Sequence, residues 1–210
     1  MANLQLSYEV EIRLRFDNYD DACEKLPFLD KSLRAADWWD TGMYGLDLFR
    51  SDQMLRIGDL VFEENHKKRY LGWKGPDIGD FANIRSEIDE DITDGVENSV
   101  VLAKIGGDRK FLTSDGIIEE LNRLGHEEFM SFSGKNTLGR YKSLDIGIKL
   151  MSCSQLKYPL MVEIEKIAST EEEARQCEKQ LTEISSEWDL LDRLIKEEPT
   201  HLLYESIYGK

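Results

Sequence analysis

The run Glu9-Val10-Glu11-Ile12-Arg13-Leu14-Arg15-Phe16 alternates ionisable and apolar side chains without a break. In a β-strand such alternation sorts the two kinds onto opposite faces, with same-face neighbours about 7 Å apart, twice the rise per residue. One face carries Val10, Ile12, Leu14 and Phe16, and the other carries Glu9, Glu11, Arg13 and Arg15. Two carboxylates at that spacing can hold a hard divalent cation through oxygen ligands. A guanidinium beside them can clamp phosphate oxygens in a bidentate fork. An amphipathic strand with one solvated face has the same pattern, so alternation by itself leaves both origins open.

The elements that would position these residues can be read along the chain. Strands are expected at 7–16, around 36–41, as a hairpin at 53–64 and 66–75 turning at Glu63-Glu64-Asn65-His66, and at 83–92. Helical spacing follows at 96–105 and 114–124, with Gly125 as a stop. Strands resume at roughly 127–133, 138–151 and 159–168. Ser169-Thr170-Glu171-Glu172-Glu173 then reads as an N-cap and acidic first turn of a helix to about Glu187. A short helix is expected at 18–28 and another in the tail after Glu198-Pro199. Strands outnumber the connections available for parallel βαβ units. The expectation is therefore an α+β domain over 1–210: an antiparallel eight-stranded β-barrel, closed or nearly so, with helices outside. It includes a helical insertion at about 95–125 and a C-terminal helical segment at about 170–210. Acids and bases facing inward would be costly to bury unless a polyanion and metal ions complement them.

Composition narrows the function. The formal net charge of −15 over 210 residues argues against general nucleic-acid binding. No apolar run approaches the ~20 residues that span a bilayer. No charged and apolar leader pattern opens the chain, so no membrane partner and a cytoplasmic location are expected. Cys23, Cys153 and Cys177 are scattered, as are His66, His126 and His201, so a zinc or redox pair is not expected. There is no P-loop and no GxSxG element. Trp38, Trp39 and Trp73 read as core residues on the barrel exterior.

Several motifs together resemble one family. Glu9-x-Glu11-x-Arg13 resembles the ExExK signature of the CYTH superfamily, the triphosphate tunnel metalloenzymes, which includes class IV adenylyl cyclases and thiamine and inorganic triphosphatases. Asp40-Thr41, Leu55-Arg56-Ile57, Trp73-Lys74-Gly75-Pro76, Arg85-x-Glu87-x-Asp89, Glu163-x-Glu165 and Glu198-Pro199 with Tyr204 are similar to further elements of that family, in order, from residue 9 to about 204. The resemblance implies that Arg13, Arg56, Lys74, Arg85 and Arg140 bind phosphate. It implies that Glu9, Glu11, Glu163 and Glu165 hold Mg²⁺ or Mn²⁺. Glu9, Glu11 and Lys74 would be catalytic, with Glu87 and Asp89 in support.

The implied activity is hydrolysis of a nucleoside triphosphate or other polyphosphate. The alternatives are cyclisation of ATP to cyclic AMP and pyrophosphate, or binding without turnover. An exposed apolar face could support a homodimer. Two departures stand out. Gly58 occupies the place of the second base of the LRxR element, and Cys153 stands where an acid is usual, ten residues before Glu163. Asp145 is the nearest substitute acid, eight residues out of register.

Overall fold

A computed structural model of the chain describes residues 7–26, 28–29, 33–61, 66–107 and 110–209, and of 33–38 the backbone course alone. The alternating segment forms β1 (Ser7–Phe16). It pairs antiparallel with β5 (Asn83–Asp91) on one side and with β8 (Leu160–Ala168) on the other. Between them run β4 (Lys67–Lys74), β3 (Met54–Val61), β2 (Leu33–Tyr44), β6 (Glu128–Tyr141) and β7 (Ile146–Ser152). The order β5-β4-β3-β2-β6-β7-β8-β1 returns on itself through the β1–β5 pairing, so eight antiparallel strands close into a ring. Closure pairs the backbone groups that an open sheet would expose along its edges. A two-residue strand, β9 (Leu194–Ile195), joins β1 at Arg13 and Leu14, beyond the reach of β5.

Six helices are described around the ring: α1 (Tyr19–Lys25), α2 (Leu46–Arg50), α3 (Val100–Lys104), α4 (Ser114–Arg123), α5 (Glu171–Glu187) and α6 (Pro199–Tyr208). Asn18, Ser99, Thr113 and Thr170 each accept an amide hydrogen bond at a helix start, as N-caps do. Val10, Ile12, Leu14 and Phe16 pack beneath α1 and α5 with Ala22, Leu26, Ala174 and Leu181. Leu55, Ile57, Leu71 and Trp73 pack beneath α3 and α4 with Val101, Leu102, Ile117 and Leu121. A third cluster lies within the ring: Trp39, Met43, Met54, Met130, Phe132, Met151 and Met161 meet Phe49 of α2 and Leu203 of α6. Among the described residues no helix is long and apolar enough to cross a membrane.

The β6–β7 hairpin differs from the expected boundaries of 127–133 and 138–151. β6 continues to Tyr141, and the turn falls at 142–145, where Asp145 takes a left-handed φ of 53°. The run Ser131 to Thr137 lacks apolar alternation, yet it holds as strand because β2 pairs it throughout and β7 joins from Lys135 onward. Neither α2 nor β9 is legible in the pattern. Residues 63–65 of the expected turn and the side chain of Trp38 lie outside what the structure describes.

Candidate functional site

Ring closure turns the charged face of β1 inward. Register sets Arg13 opposite Glu163, Glu11 opposite Glu165, and Glu9 opposite Arg85. Glu9, Glu11, Arg13, Lys74, Arg85 and Glu163 are all buried. β1 is thus buried on both faces, one under helices and one inside the ring.

Arg13 is the hub. Its Nε donates to Glu163 Oε1 at 3.1 Å and its Nη1 to Asn83 Oδ1 at 2.8 Å. Its Nη2 donates to Glu198 Oε2 at 2.6 Å and also pairs with Glu11. Lys74 pairs with Glu9 and stands 3.6 Å from Glu87. Lys149 pairs with Glu163. Arg56 reaches Glu87 at 2.7 Å and Asp89 at 3.1 Å. The five cations Arg13, Arg56, Lys74, Arg85 and Lys149 face the seven carboxylates of Glu9, Glu11, Glu87, Asp89, Glu163, Glu165 and Glu198, so the interior carries an excess of acid.

These groups border a cavity of about 270 Å³. Its charged lining is Arg13, Arg56, Lys74, Asp89, Lys149 and Glu163, one residue each from β1, β3, β4, β5, β7 and β8. Trp39, Thr41, Met43, Leu60, Phe132 and Met151, from β2, β3, β6 and β7, make a largely apolar remainder. Glu198, Pro199 and Thr200 at the start of α6 contribute to the lining as well.

Crowding separates the acids by protonation. Burial by itself raises Glu9, but the Lys74 and Lys149 ammonium groups together outweigh it and hold Glu9 below the usual carboxylate range. Burial likewise opposes ionisation of Glu198, and Arg13, Lys74 and Arg85 overcome it, leaving Glu198 at about 2. Burial, only partly offset by Arg13, pushes Glu11 well up, and the charge of Glu9 adds to the rise. Burial also lifts Glu87 to about 8 and Glu165 to about 7, in each case with help from Glu9. Lys74 is raised, because its carboxylate neighbours overcome the effect of burial.

Glu9, Glu11 and Glu165 each offer a carboxylate oxygen, and the three oxygens lie within 4.8 Å of one another. Glu11 Oε2 is buried with no hydrogen-bond partner among the described residues. An unpartnered buried oxygen beside two further carboxylates, one of them with a raised pKa, is a donor set that fits a hard divalent cation. Glu163 is not in this group, since Arg13 and Lys149 flank it. Gly147 makes the arrangement possible: a Cβ there would stand 2.5 Å from Glu165 Oε1.

The remaining expected residues are more dispersed. Arg85 is buried but spends its donors on Glu198, Asp52 and the carbonyls of Asp52 and Gly75, outside the cavity lining. Arg140 shares the inward register of Phe132 and Asn136 on β6, yet stands exposed at the rim, paired with Asp145. Asp145 is exposed and is not one of the three grouped carboxylates. Cys153 is buried among Trp39, Met43 and Met151. Gly58 lines the cavity, and the nearest atom to a Cβ there is Thr41 Oγ1 at 3.6 Å. Trp39 corrects the exterior expectation, because it lines the cavity, whereas Trp73 lies outside beneath α3 as expected.

Lys149, Asn83 and the role of Glu198 escaped the sequence reading. The alternation Ile146-Gly147-Ile148-Lys149-Leu150 marks Lys149 as the one base facing away from the apolar side of its strand. No comparable signal marks Asn83.

No protein-family model and no curated protein matches the sequence. Solved structures do. The PH1819 protein from Pyrococcus horikoshii OT3 aligns over 94% of this chain and 98% of its own, with TM-score 0.70 and 21% identity. The PH1012 protein of the same organism aligns over 93% and 99%, with TM-score 0.64 and 16% identity. HpAC1 from Hippeastrum, a proposed adenylyl cyclase with a dominant triphosphatase activity, aligns over 95% of both chains, with TM-score 0.57 and 15% identity. At such identities the shared fold carries no activity with it, and function has to be argued from the site.

Proposed function

We propose that the chain binds a triphosphate-bearing small molecule together with Mg²⁺ or Mn²⁺ and hydrolyses it. The supporting observation is the placement of the Glu9, Glu11 and Glu165 carboxylates within 4.8 Å of one another in a ring whose cavity is lined by Arg13, Arg56, Lys74 and Lys149. Glu9, Glu11 and Glu165 would hold the cation, which supplies charge neutralisation at the phosphate oxygens. Arg56 and Lys149 are the more open of the lining cations and would meet the phosphates first. Arg13 and Lys74 lie deeper. Lys74 acts as a fixed positive charge and not as a proton acceptor, because its carboxylate neighbours keep it protonated.

The protein's part is positioning and electrostatic stabilisation. In hydrolysis, water oxygen bonds to the terminal phosphorus and the bond from that phosphorus to its bridging oxygen breaks, leaving a diphosphate and inorganic phosphate. The triphosphatase activity of HpAC1 favours this outcome over cyclisation. Capture without turnover is the second reading, favoured by Cys153 in an apolar cluster where the resemblance implies an acid. The test is incubation with ATP, GTP, thiamine triphosphate and tripolyphosphate in Mg²⁺ or Mn²⁺, with products identified by mass. Diphosphate plus phosphate supports hydrolysis. Cyclic AMP plus pyrophosphate supports the cyclase alternative, and metal-dependent binding without product supports capture. Absence of metal-dependent binding for all four rejects the proposal.

A further inference from the structure

Strand register gives the two inward carboxylates of β8 opposite surroundings. Across β1, β8 and β7, one row reads Glu11, Glu165, Gly147 and the next reads Arg13, Glu163, Lys149. The first row carries two acids and no base, and Glu165 leans over Gly147, whose missing side chain leaves room for it. The second row holds one acid between two cations. Glu163 Oε1 accepts from Arg13 Nε at 3.1 Å, and Lys149 pairs with the other oxygen. The two cations differ in what they have left to give. Arg13 is buried and spends its nitrogens on Glu163, Asn83, Glu11 and Glu198. Lys149 lines the cavity with its side chain 23% exposed, against 2% for Glu163. An ammonium has three donors, so Lys149 can hold Glu163 with one and meet a phosphate oxygen with another.

Glu163 and Glu165 stand two residues apart on one face, a spacing that suits neighbouring ions. Sites with two metals about 4 Å apart clamp both sides of a displacement at phosphorus. Here a second ion on Glu163 would meet two fixed positive charges, and like charges in contact repel strongly away from water. We infer that Lys149 stands in for that second ion, so that the chain loads a single divalent cation, on Glu9, Glu11 and Glu165, and presents Lys149 to the phosphates from the adjoining row. The inference rests on the metal-dependent triphosphate reading above and adds the number of ions and the residue that sets it.

Titration of the full chain with Mn²⁺, with bound ions counted by electron paramagnetic resonance, tests this. Each count is read against the same chain carrying Glu163→Gln, which subtracts uptake on the acidic surface. The unaltered chain should hold one ion tightly, and Glu163→Gln should leave its count unchanged. Lys149→Asp exchanges the cation beside Glu163 for an acid. It should bind one ion more, and that ion should be lost on adding Glu163→Gln. Lys149→Met removes the charge without adding an acid and provides the test if Lys149→Asp fails to fold. Its extra ion should bind roughly tenfold or more weakly than the first, having one protein carboxylate in place of three. A merely structural role for Lys149 would leave the count unmoved. An ion in the unaltered chain that Glu163→Gln removes, or no Glu163-dependent ion in the Lys149 variants, overturns the inference and leaves the triphosphate reading standing. No tightly held ion in the unaltered chain overturns both.

Discussion

Glu9 and Glu11 are two residues apart on one strand and do different work. Glu9 is held ionised by Lys74, whereas Glu11 is pushed up by burial and keeps one oxygen without a partner. Arg13, the partner of Glu11, retains Glu163 and Glu198. Glu11→Gln should therefore cost little stability and weaken Mn²⁺ binding by more than about tenfold, as loss of a charged ligand does. Glu9→Gln should weaken Mn²⁺ binding too. It should also destabilise the metal-free chain by about 1.5–3 kcal/mol, because Lys74 loses its closest counter-charge and keeps only Glu87 at 3.6 Å and Glu11 at 3.8 Å. Urea unfolding and Mn²⁺ titration by electron paramagnetic resonance separate the two effects. Full Mn²⁺ affinity in Glu11→Gln would reduce Glu11 to an ion-pair partner. Gly58 offers the converse experiment. With its nearest neighbour 3.6 Å from a new Cβ, the position has room for a side chain. Gly58→Arg should add one charge-assisted contact and tighten metal-dependent triphosphate binding by about tenfold, read by calorimetry.

At the scale of elements, α6 is tied to the ring by its first residues. Glu198 makes no capping hydrogen bond. Its carboxylate bonds Arg13 at 2.6 Å and Arg85 at 2.9 Å, joining β1, β5 and the helix start. Pro199 at the first helical position needs no amide partner and suits this junction. Glu198→Ala leaves two buried guanidinium groups short of a counter-charge. It should cost about 3–5 kcal/mol in urea unfolding. A loss below about 1 kcal/mol would mean that the cluster is open to water and worth no more than an exposed pair.

For the whole molecule, the acid excess inside the ring sets a pH dependence. Glu87 at about 8 and Glu165 at about 7 keep protons in the folded state that the unfolded chain, near 4.5, has already lost. Metal-free stability should therefore fall as pH rises from about 5 to 8. Glu198, at about 2, contributes stability that is present above 4.5 and lost as pH falls toward 2. The melting temperature without metal should peak at about pH 4.5 to 5, where the two trends meet. A divalent cation replaces the proton on Glu165 and should flatten the alkaline decline. Melting curves from pH 4 to 9 with chelator or with Mg²⁺ check this, and a steady rise to pH 8 under chelator would show that the interior acids are already ionised. Triphosphate at ~100 times its dissociation constant should add about 2.7 kcal/mol in the presence of Mg²⁺, and less in chelator, where Glu9, Glu163 and Glu198 already engage Lys74, Lys149 and Arg13.

Alternation is a local property, and it was enough to place strands at about 7–16, 83–92 and 159–168 and to assign Glu9, Glu11, Arg13, Glu163 and Glu165 to one face. Helical spacing with Gly125 as a stop placed α4, and the cap at Ser169-Thr170 started α5. Whether the charged face met water or an interior was not a local matter. The β1–β5 pairing decides it by closing the ring, and it joins segments some 70 residues apart. Closure also chose among charges that look alike in sequence. It set Glu165 with Glu9 and Glu11, gave Glu163 to Arg13 and Lys149, drew Arg85 away toward Asp52, and left Arg140 at the rim. Trp39 went inside and Trp73 outside because strand parity is counted from register, which the partner strands impose. Residue type states what a side chain can do, and only the pairing of distant strands states what it does it to.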